Sequence, residues 1–139
     1  MSVHKSKSLL KQIEFLDKFE EIEDLEFSGF FVGWKNIPSP GLKDILKNST
    51  YFIVAKIENK PVGIITCLSD KLISAYIPLL EVLPEYKKQG IGTVLVEKML
   101  NKIGKLYMID LICDPELNSY YAKFGFKAYN GCIVRNINS

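Results

Sequence analysis

Two lysines and two glycines carry the first chemistry legible in this chain. Lys87 and Lys88 stand ahead of Gly90 and Gly92 in the run Leu80-Glu81-Val82-Leu83-Pro84-Glu85-Tyr86-Lys87-Lys88-Gln89-Gly90-Ile91-Gly92-Thr93. From Ile91 the apolar residues Val94, Leu95, Met99 and Ile103 recur at three- and four-residue steps, which marks one face of a helix. A helix begins with backbone N–H groups that have no partner inside it, and its dipole puts roughly +0.5 charge at that end. Glycines there let a ligand reach bare backbone, and the lysines add mobile positive charge. The pattern suits a phosphate or pyrophosphate.

Other catalytic plans are excluded by what is missing around these residues. The single histidine, His4, lies in a polar leader, so a Ser–His or Cys–His nucleophile pair is not expected. No glycine-rich loop ends in Gly-Lys-Ser/Thr, which removes a P-loop. Leu95 stands where a dinucleotide fingerprint needs its third glycine, which argues against a nicotinamide site. Cys67, Cys113 and Cys132 are odd in number and far apart, so they read as buried reduced thiols, with no disulfide framework and no metal site.

The elements that must position the loop follow from local pattern. Pro84 cannot donate to a ladder, so a strand from Leu72 to Val82 ends before it. The helix from Gly90 stops near Gly104, and Leu106 to Cys113 is the next strand. Upstream, Ile13 and Phe15 mark a short strand after a partly helical lead-in over 1–11. Phe19 to Phe31 has helical spacing, ended by Gly33 and Trp34, and Pro38-Ser39-Pro40-Gly41 is a loop. Leu42 to Lys47 is a short helix, and Tyr51–Ile57 pairs with Val62–Leu68 across a turn at 58–61. Asp114-Pro115 opens a short helix through Phe124. Phe126–Tyr129 and Cys132–Arg135 close the chain as a hairpin around Asn130-Gly131. The fold class is α+β, with a mixed, mostly antiparallel sheet and a crossover helix.

A second motif joins the loop: Asn118-Ser119-Tyr120-Tyr121-Ala122-Lys123-Phe124-Gly125-Phe126. With it the chain resembles the GNAT superfamily of acetyl-CoA-dependent N-acetyltransferases, well over residues 51–135 and more loosely before them. The family's diphosphate loop, Arg/Gln-x-x-Gly-x-Gly/Ala, falls on Lys87-Lys88-Gln89-Gly90-Ile91-Gly92, with Lys87 replacing the usual Arg or Gln. Its aromatic-Tyr-x-x-x-Gly-Phe ending falls on residues 120–126.

That resemblance implies a GNAT fold whose sheet splays at its centre, where Leu80 to Val82 parts from Leu111 to Cys113. Backbone groups at Leu80 and Val82 would meet the thioester carbonyl and the pantetheine amides of acetyl-CoA. The pyrophosphate would sit on the amides of residues 88–93, from Lys88 and Gln89 through Ile91 to Thr93. Acetyl transfer develops an oxyanion that needs such donors, and the departing thiolate needs a proton. Tyr121 is the implied general acid; Tyr120, about 100° round the helix, reads as core. The family's pantetheine-contacting Asn is replaced here by Asp114, and Asn118 on the same short helix is its substitute. Trp34 and Tyr76 are candidates for the acceptor pocket. Glu81, the nearest acid, is a third pocket candidate that could take the amine's proton, but it alternates away from Leu80 and Val82, which favours a structural role.

The bulk numbers agree with this reading. The 139 residues suit one domain, 1–139, and a net charge of +2 does not argue for nucleic acid. No apolar run spans a bilayer and no signal-type core follows Met1, so a cytoplasmic location and no membrane partner are expected. The expected activity is acetyl transfer to a primary amine of a small molecule, since no added domain recruits a protein. Protein N-termini or lysines, and a non-catalytic acyl-CoA sensor, are the alternatives. A homodimer is a family-level expectation.

Overall fold

A hairpin rich in β-branched and aromatic residues forms the middle of the sheet, and the other strands add to its two sides. The computed structural model describes residues 9–35 and 41–136. His4, the first eight residues of the lead-in and Pro38-Ser39-Pro40 lie outside the described residues; residues 9–11 are helical. Strands β1 (Ile13–Leu16), β2 (Tyr51–Ile57), β3 (Lys60–Ser69), β4 (Ser74–Ile77), β5 (Leu80–Val82) and β6 (Met108–Leu111) form one six-stranded sheet. The helices are α1 (Phe19–Ile22), α2 (Leu42–Asn48), α3 (Ile91–Ile103) and α4 (Asn118–Ala122), with 3-10 turns at Pro84–Tyr86 and Pro115–Leu117. The strand order is β1-β2-β3-β4-β6, with β5 as a further partner of β3. Every pairing is antiparallel except β4 with β6, where α3 makes the crossover that a parallel pair needs.

Each sheet face is covered by its own apolar layer. The α3 stripe of Ile91, Leu95, Val96, Met99 and Ile103 packs on Ile53, Ala55 and Ile65. On the other face Ile22, Leu42 and Leu46 pack on Phe52, Val54 and Ile64. Helix α3 lies so close to β3 that a Cβ at Gly63 would meet Leu95 Cδ1 at 3.1 Å and Ile91 Cγ2 at 3.3 Å.

Four expectations for the elements need correction. The continuous strand from Leu72 to Val82 is two strands. Between the pairs Leu68↔Tyr76 and Ile65↔Leu80, β3 advances three residues while its partner advances four, a β-bulge at Pro78–Leu79. The helix from Phe19 to Phe31 is one turn, Phe19–Ile22, because Glu23 and Asp24 oppose the dipole at its C-terminal end and Gly29 and Phe31 are left-handed (φ 87° and 65°). Leu25, Phe30 and Phe31 are buried from a loop instead. The strand expected over Leu106–Cys113 shortens to Met108–Leu111. The closing hairpin does not form: neither Asn130 nor Gly131 takes the positive φ of its expected turn, and residues 126–136 run without ladder bonds. Gly131 serves close approach, since a Cβ there would come within 2.8 Å of Ile112 Cδ1.

The bulge sets up the splay. Strand β4 pairs with β6 as far as Ile77↔Leu111, where β6 ends. Past it, β5 pairs with β3 through Ile65↔Leu80 and Gly63↔Val82, and no described strand takes its other edge. The Leu79 carbonyl accepts from the Thr66 N–H at 3.0 Å, and the Leu83 N–H donates to the Val62 carbonyl at 2.9 Å. By alternation, the N–H and C=O groups of Leu80 and Val82 point to the open edge.

Candidate active site

The open edge of β5 forms one side of a cleft of about 430 Å³. Leu80 and Val82 line it from the strand, Lys87 and Lys88 from the loop, and Gly90, Ile91, Gly92 and Thr93 from the first turn of α3. Tyr121 closes the opposite side together with Leu117 and Tyr120, and Tyr86 completes the loop wall. Nine of the residues anticipated from the sequence meet in this one cavity.

The loop geometry follows from two left-handed residues. Lys88 has φ 62° and Gly90, the N-cap of α3, has φ 89°. Left-handed residues in a tight loop turn successive N–H groups to one side, the arrangement that binds anions. No side chain caps the helix start, whose first backbone bond runs from the Val94 N–H to the Gly90 carbonyl at 3.2 Å. A Cβ on Gly92 would stand 3.4 Å from the Tyr120 hydroxyl and 3.8 Å from Val82 Cγ2, within the space the cleft uses. A helix start without a side-chain cap, two lysines and room for a narrow chain along β5 fit a thioester carried on a diphosphate-bearing arm.

The two adjacent tyrosines differ from expectation. Both line the cleft, because a helix of five residues lets the cavity wrap round its end. The Tyr120 hydroxyl lies 3.2 Å from the Thr93 hydroxyl, so Tyr120 is not simply core. Tyr121 packs on Phe126 and edge-on to Tyr120, with ring centroids 5.9 and 5.1 Å apart. Burial, reinforced by Tyr120 and Cys113, pushes the Tyr121 phenol up to about 12. It therefore holds its proton throughout the neutral range.

Other anticipated residues lie elsewhere. Gln89 sits in the loop without lining the cleft. Asn118 lines a neighbouring pocket, where its Oδ1 accepts from the Cys113 thiol at 3.5 Å. Glu81 points to the far face, as alternation requires. Its carboxylate accepts the Phe31 N–H at 2.9 Å and the Val32 N–H at 3.1 Å, holding a left-handed loop residue in place. Trp34 stacks edge-on against Phe31 at 4.8 Å and is half exposed. Tyr76 is paired to Leu68 and Asp110 on the outer face of β4. None of these three lines the cleft. Of the cysteines only Cys67 is buried, with its thiol pushed up by that burial; Cys113 is half-buried and Cys132 exposed. Tyr86 and Leu117 were not anticipated, and nothing but their places beside the loop and α4 could have signalled them.

Comparison with known proteins agrees with this geometry. The acetyltransferase (GNAT) domain family matches residues 35–136. A crystallised Deinococcus radiodurans protein assigned as an acetyltransferase superposes with a TM-score of 0.85, at 34% identity over 91% of this chain and 90% of that one. A GNAT-family acetyltransferase from Streptococcus pneumoniae superposes with a TM-score of 0.69, at 26% identity over 91% and 99% of the two chains. Among curated proteins, a chloroplastic GCN5-related N-acetyltransferase of Arabidopsis thaliana is 29% identical over 145 residues, which is 86% of this chain and 55% of that protein. A Glycine max protein named histone acetyltransferase is 28% identical over 123 residues, which is 78% of this chain and 52% of that protein. The chain spans about half the length of these two curated relatives.

Proposed function

The chain belongs to the GNAT acetyltransferase family, and from that premise we propose that it moves an acetyl group from acetyl-CoA to the primary amine of a small molecule. The observation that carries this reading is the single cleft in which the β5 edge, the loop 87–93 and Tyr121 meet. Acetyl-CoA supplies an acetyl thioester already activated toward an amine. The amides of residues 88–93 with Lys87 and Lys88 hold its diphosphate, and the open-edge groups of Leu80 and Val82 hold the pantetheine arm. Tyr121 keeps a proton at its hydroxyl for the leaving sulfur. The neutral amine attacks the thioester carbon directly: the C–N bond forms as the C–S bond breaks, the sulfur takes the Tyr121 proton, and the proton shed by the nitrogen returns the phenol to its neutral form.

A protein acceptor is the second reading, favoured by the name of the Glycine max relative. One assay separates the two. Purified protein is given acetyl-CoA with small primary amines and, separately, with peptides offering a free N-terminus or a lysine, and free CoA thiol is followed. Thiol release with small amines supports the proposal. Release with peptides alone supports the second reading, and binding without release for any acceptor marks a sensor.

A further inference from the structure

Among the described residues, Tyr121 alone lines both the 430 Å³ cleft and a second pocket of about 300 Å³. The second pocket is framed by Cys113, Pro115 and Asn118 on one flank and by Phe126, Lys127 and Ile133 on the other. A proton donor shared by two cavities is where two substrates would meet, and 300 Å³ is the scale of a small-molecule site.

The charge lining this pocket is positive, and Asp110 lines the adjoining cavity, which shares Lys127 with it. All 16 Asp and Glu residues of the chain fall within the described residues, and none lines the second pocket or the cleft. Asp114 and Glu116 flank Pro115, but both are exposed and neither is a lining residue. Glu81 is turned away and bonded to two backbone N–H groups. Among the described residues Lys127 is the one charged residue lining the second pocket; the remaining polar side chains are the Cys113 thiol, the Asn118 amide and the phenols of Tyr121 and Tyr129. A second ammonium on an acceptor would find no carboxylate here and would face Lys127. A carboxylate or phosphate on the acceptor would find a partner in that same ammonium.

We propose that this second pocket is the acceptor site, that it takes an apolar primary amine carrying an anionic group, and that Lys127 determines this preference while Asn118 orients the amine. The proposal rests on the acetyl-transfer reading, and its test has a readout that needs no transfer. Cys113 lies in the pocket and Cys132 does not line it, so acceptor binding should slow alkylation of Cys113 and spare Cys132.

Two amines with one apolar skeleton are compared, one ending in a carboxylate and one in a second ammonium. Alkylation of each cysteine by iodoacetamide is followed by peptide mass spectrometry in the presence of CoA, and KM is measured in the transfer assay. The anionic amine should protect Cys113 and show the lower KM, by about fivefold or more, the scale of a partly exposed ion pair gained in place of a repulsion. Lys127→Glu should reverse the order, and Asn118→Ala should raise KM for both amines with the KM for acetyl-CoA unchanged. Transfer without protection of Cys113, an unchanged order in Lys127→Glu, or a wild-type preference for the dication overturns the proposal. Protection without CoA release would leave the pocket standing and overturn the acetyl-transfer reading instead.

Discussion

The hydroxyl of Tyr120 lies 3.2 Å from the hydroxyl of Thr93, tying α4 to the first turn of α3 across the mouth of the cleft. Tyr120 and Tyr121 are therefore unequal phenols in one cavity. Tyr120 is engaged with Thr93, whereas burial pushes the Tyr121 phenol up. Tyr121→Phe should lower kcat by about 10²–10⁴-fold, the usual range for a lost general acid, with little change in acetyl-CoA affinity. Tyr120→Phe removes one neutral hydrogen bond, about 1 kcal/mol, and should weaken cofactor affinity or stability within tenfold while kcat holds. Rates and acetyl-CoA titrations of both variants decide; the opposite order would make Tyr120 the acid.

The pH behaviour follows from the raised Tyr121 phenol. Its folded value of about 12 exceeds the ordinary 10.0, so the neutral form is favoured by folding. That contribution to stability is complete below about pH 10 and is lost as the pH rises through about 12. An acid with this value should give kcat no alkaline fall below pH 10. Titration of phenolate absorbance in wild type and Tyr121→Phe should show that the late-ionising phenol is the one the variant lacks.

At the helix start, space and conformation act separately. Gly92 is not strained, but its missing Cβ leaves room beside the Tyr120 hydroxyl and Val82. Gly92→Val should therefore block acetyl-CoA with little loss of Tm. Gly90 has its Cβ direction open except for Leu10 at 3.5 Å, yet φ 89° penalises any side chain by about 1–2 kcal/mol. Gly90→Asp adds a negative charge at the diphosphate position, so both Tm and binding should fall. Calorimetric titration with acetyl-CoA and thermal melts of the two variants separate the effects; unchanged affinity in both would remove the loop assignment.

The carboxylate of Glu81 can be tested through its loop. Trp34 is the only tryptophan and sits beside Phe31, whose N–H Glu81 accepts. Glu81→Gln turns one accepting oxygen into a donor facing an N–H, at a cost of about 1–3 kcal/mol. The freed loop should show Trp34 fluorescence more readily quenched by acrylamide, while acetyl-CoA affinity is retained. Quenching equal to wild type would mean that the loop is held by its aromatic packing alone.

What the sequence made legible was local. The helix start was readable because a change of apolar period, two glycines and two lysines coincide within a few residues, and both glycines and both lysines reach the cleft. The strand break was not, although Pro78 could have signalled it: a one-residue bulge shows only in the register against β3. The Glu81 contact joins residues 50 apart in sequence, and no local pattern encodes it. Phe19 to Phe31 misled because loop aromatics buried one by one can mimic helical spacing. Tyr120 is not confined to the core, because a five-residue helix at the edge of a cavity presents both of its adjacent phenols to it. Lys88 gave no sign of its left-handed backbone, since lysine rarely adopts it.

Gly63 links stability to the site. An alanine Cβ there would press on Leu95 Cδ1 and Ile91 Cγ2, at 3.1 and 3.3 Å, and would lie 3.5 Å from the Glu81 carbonyl. The sheet side of that contact is backbone, so the relief must come from α3 shifting outward. Overpacking of this kind costs about 1–3 kcal/mol. Ile91 opens the helix whose amides line the cleft, so the same shift should weaken acetyl-CoA binding in protein that remains folded. Gly41→Ala, at a glycine with nothing within 4 Å and no positive φ but at the N-cap of α2, should cost no more than about 1 kcal/mol, the loss of a favoured cap residue. Denaturant melts and acetyl-CoA titrations of the pair measure both effects. A Gly63→Ala protein as stable as Gly41→Ala would show that α3 does not depend on this close approach for its position.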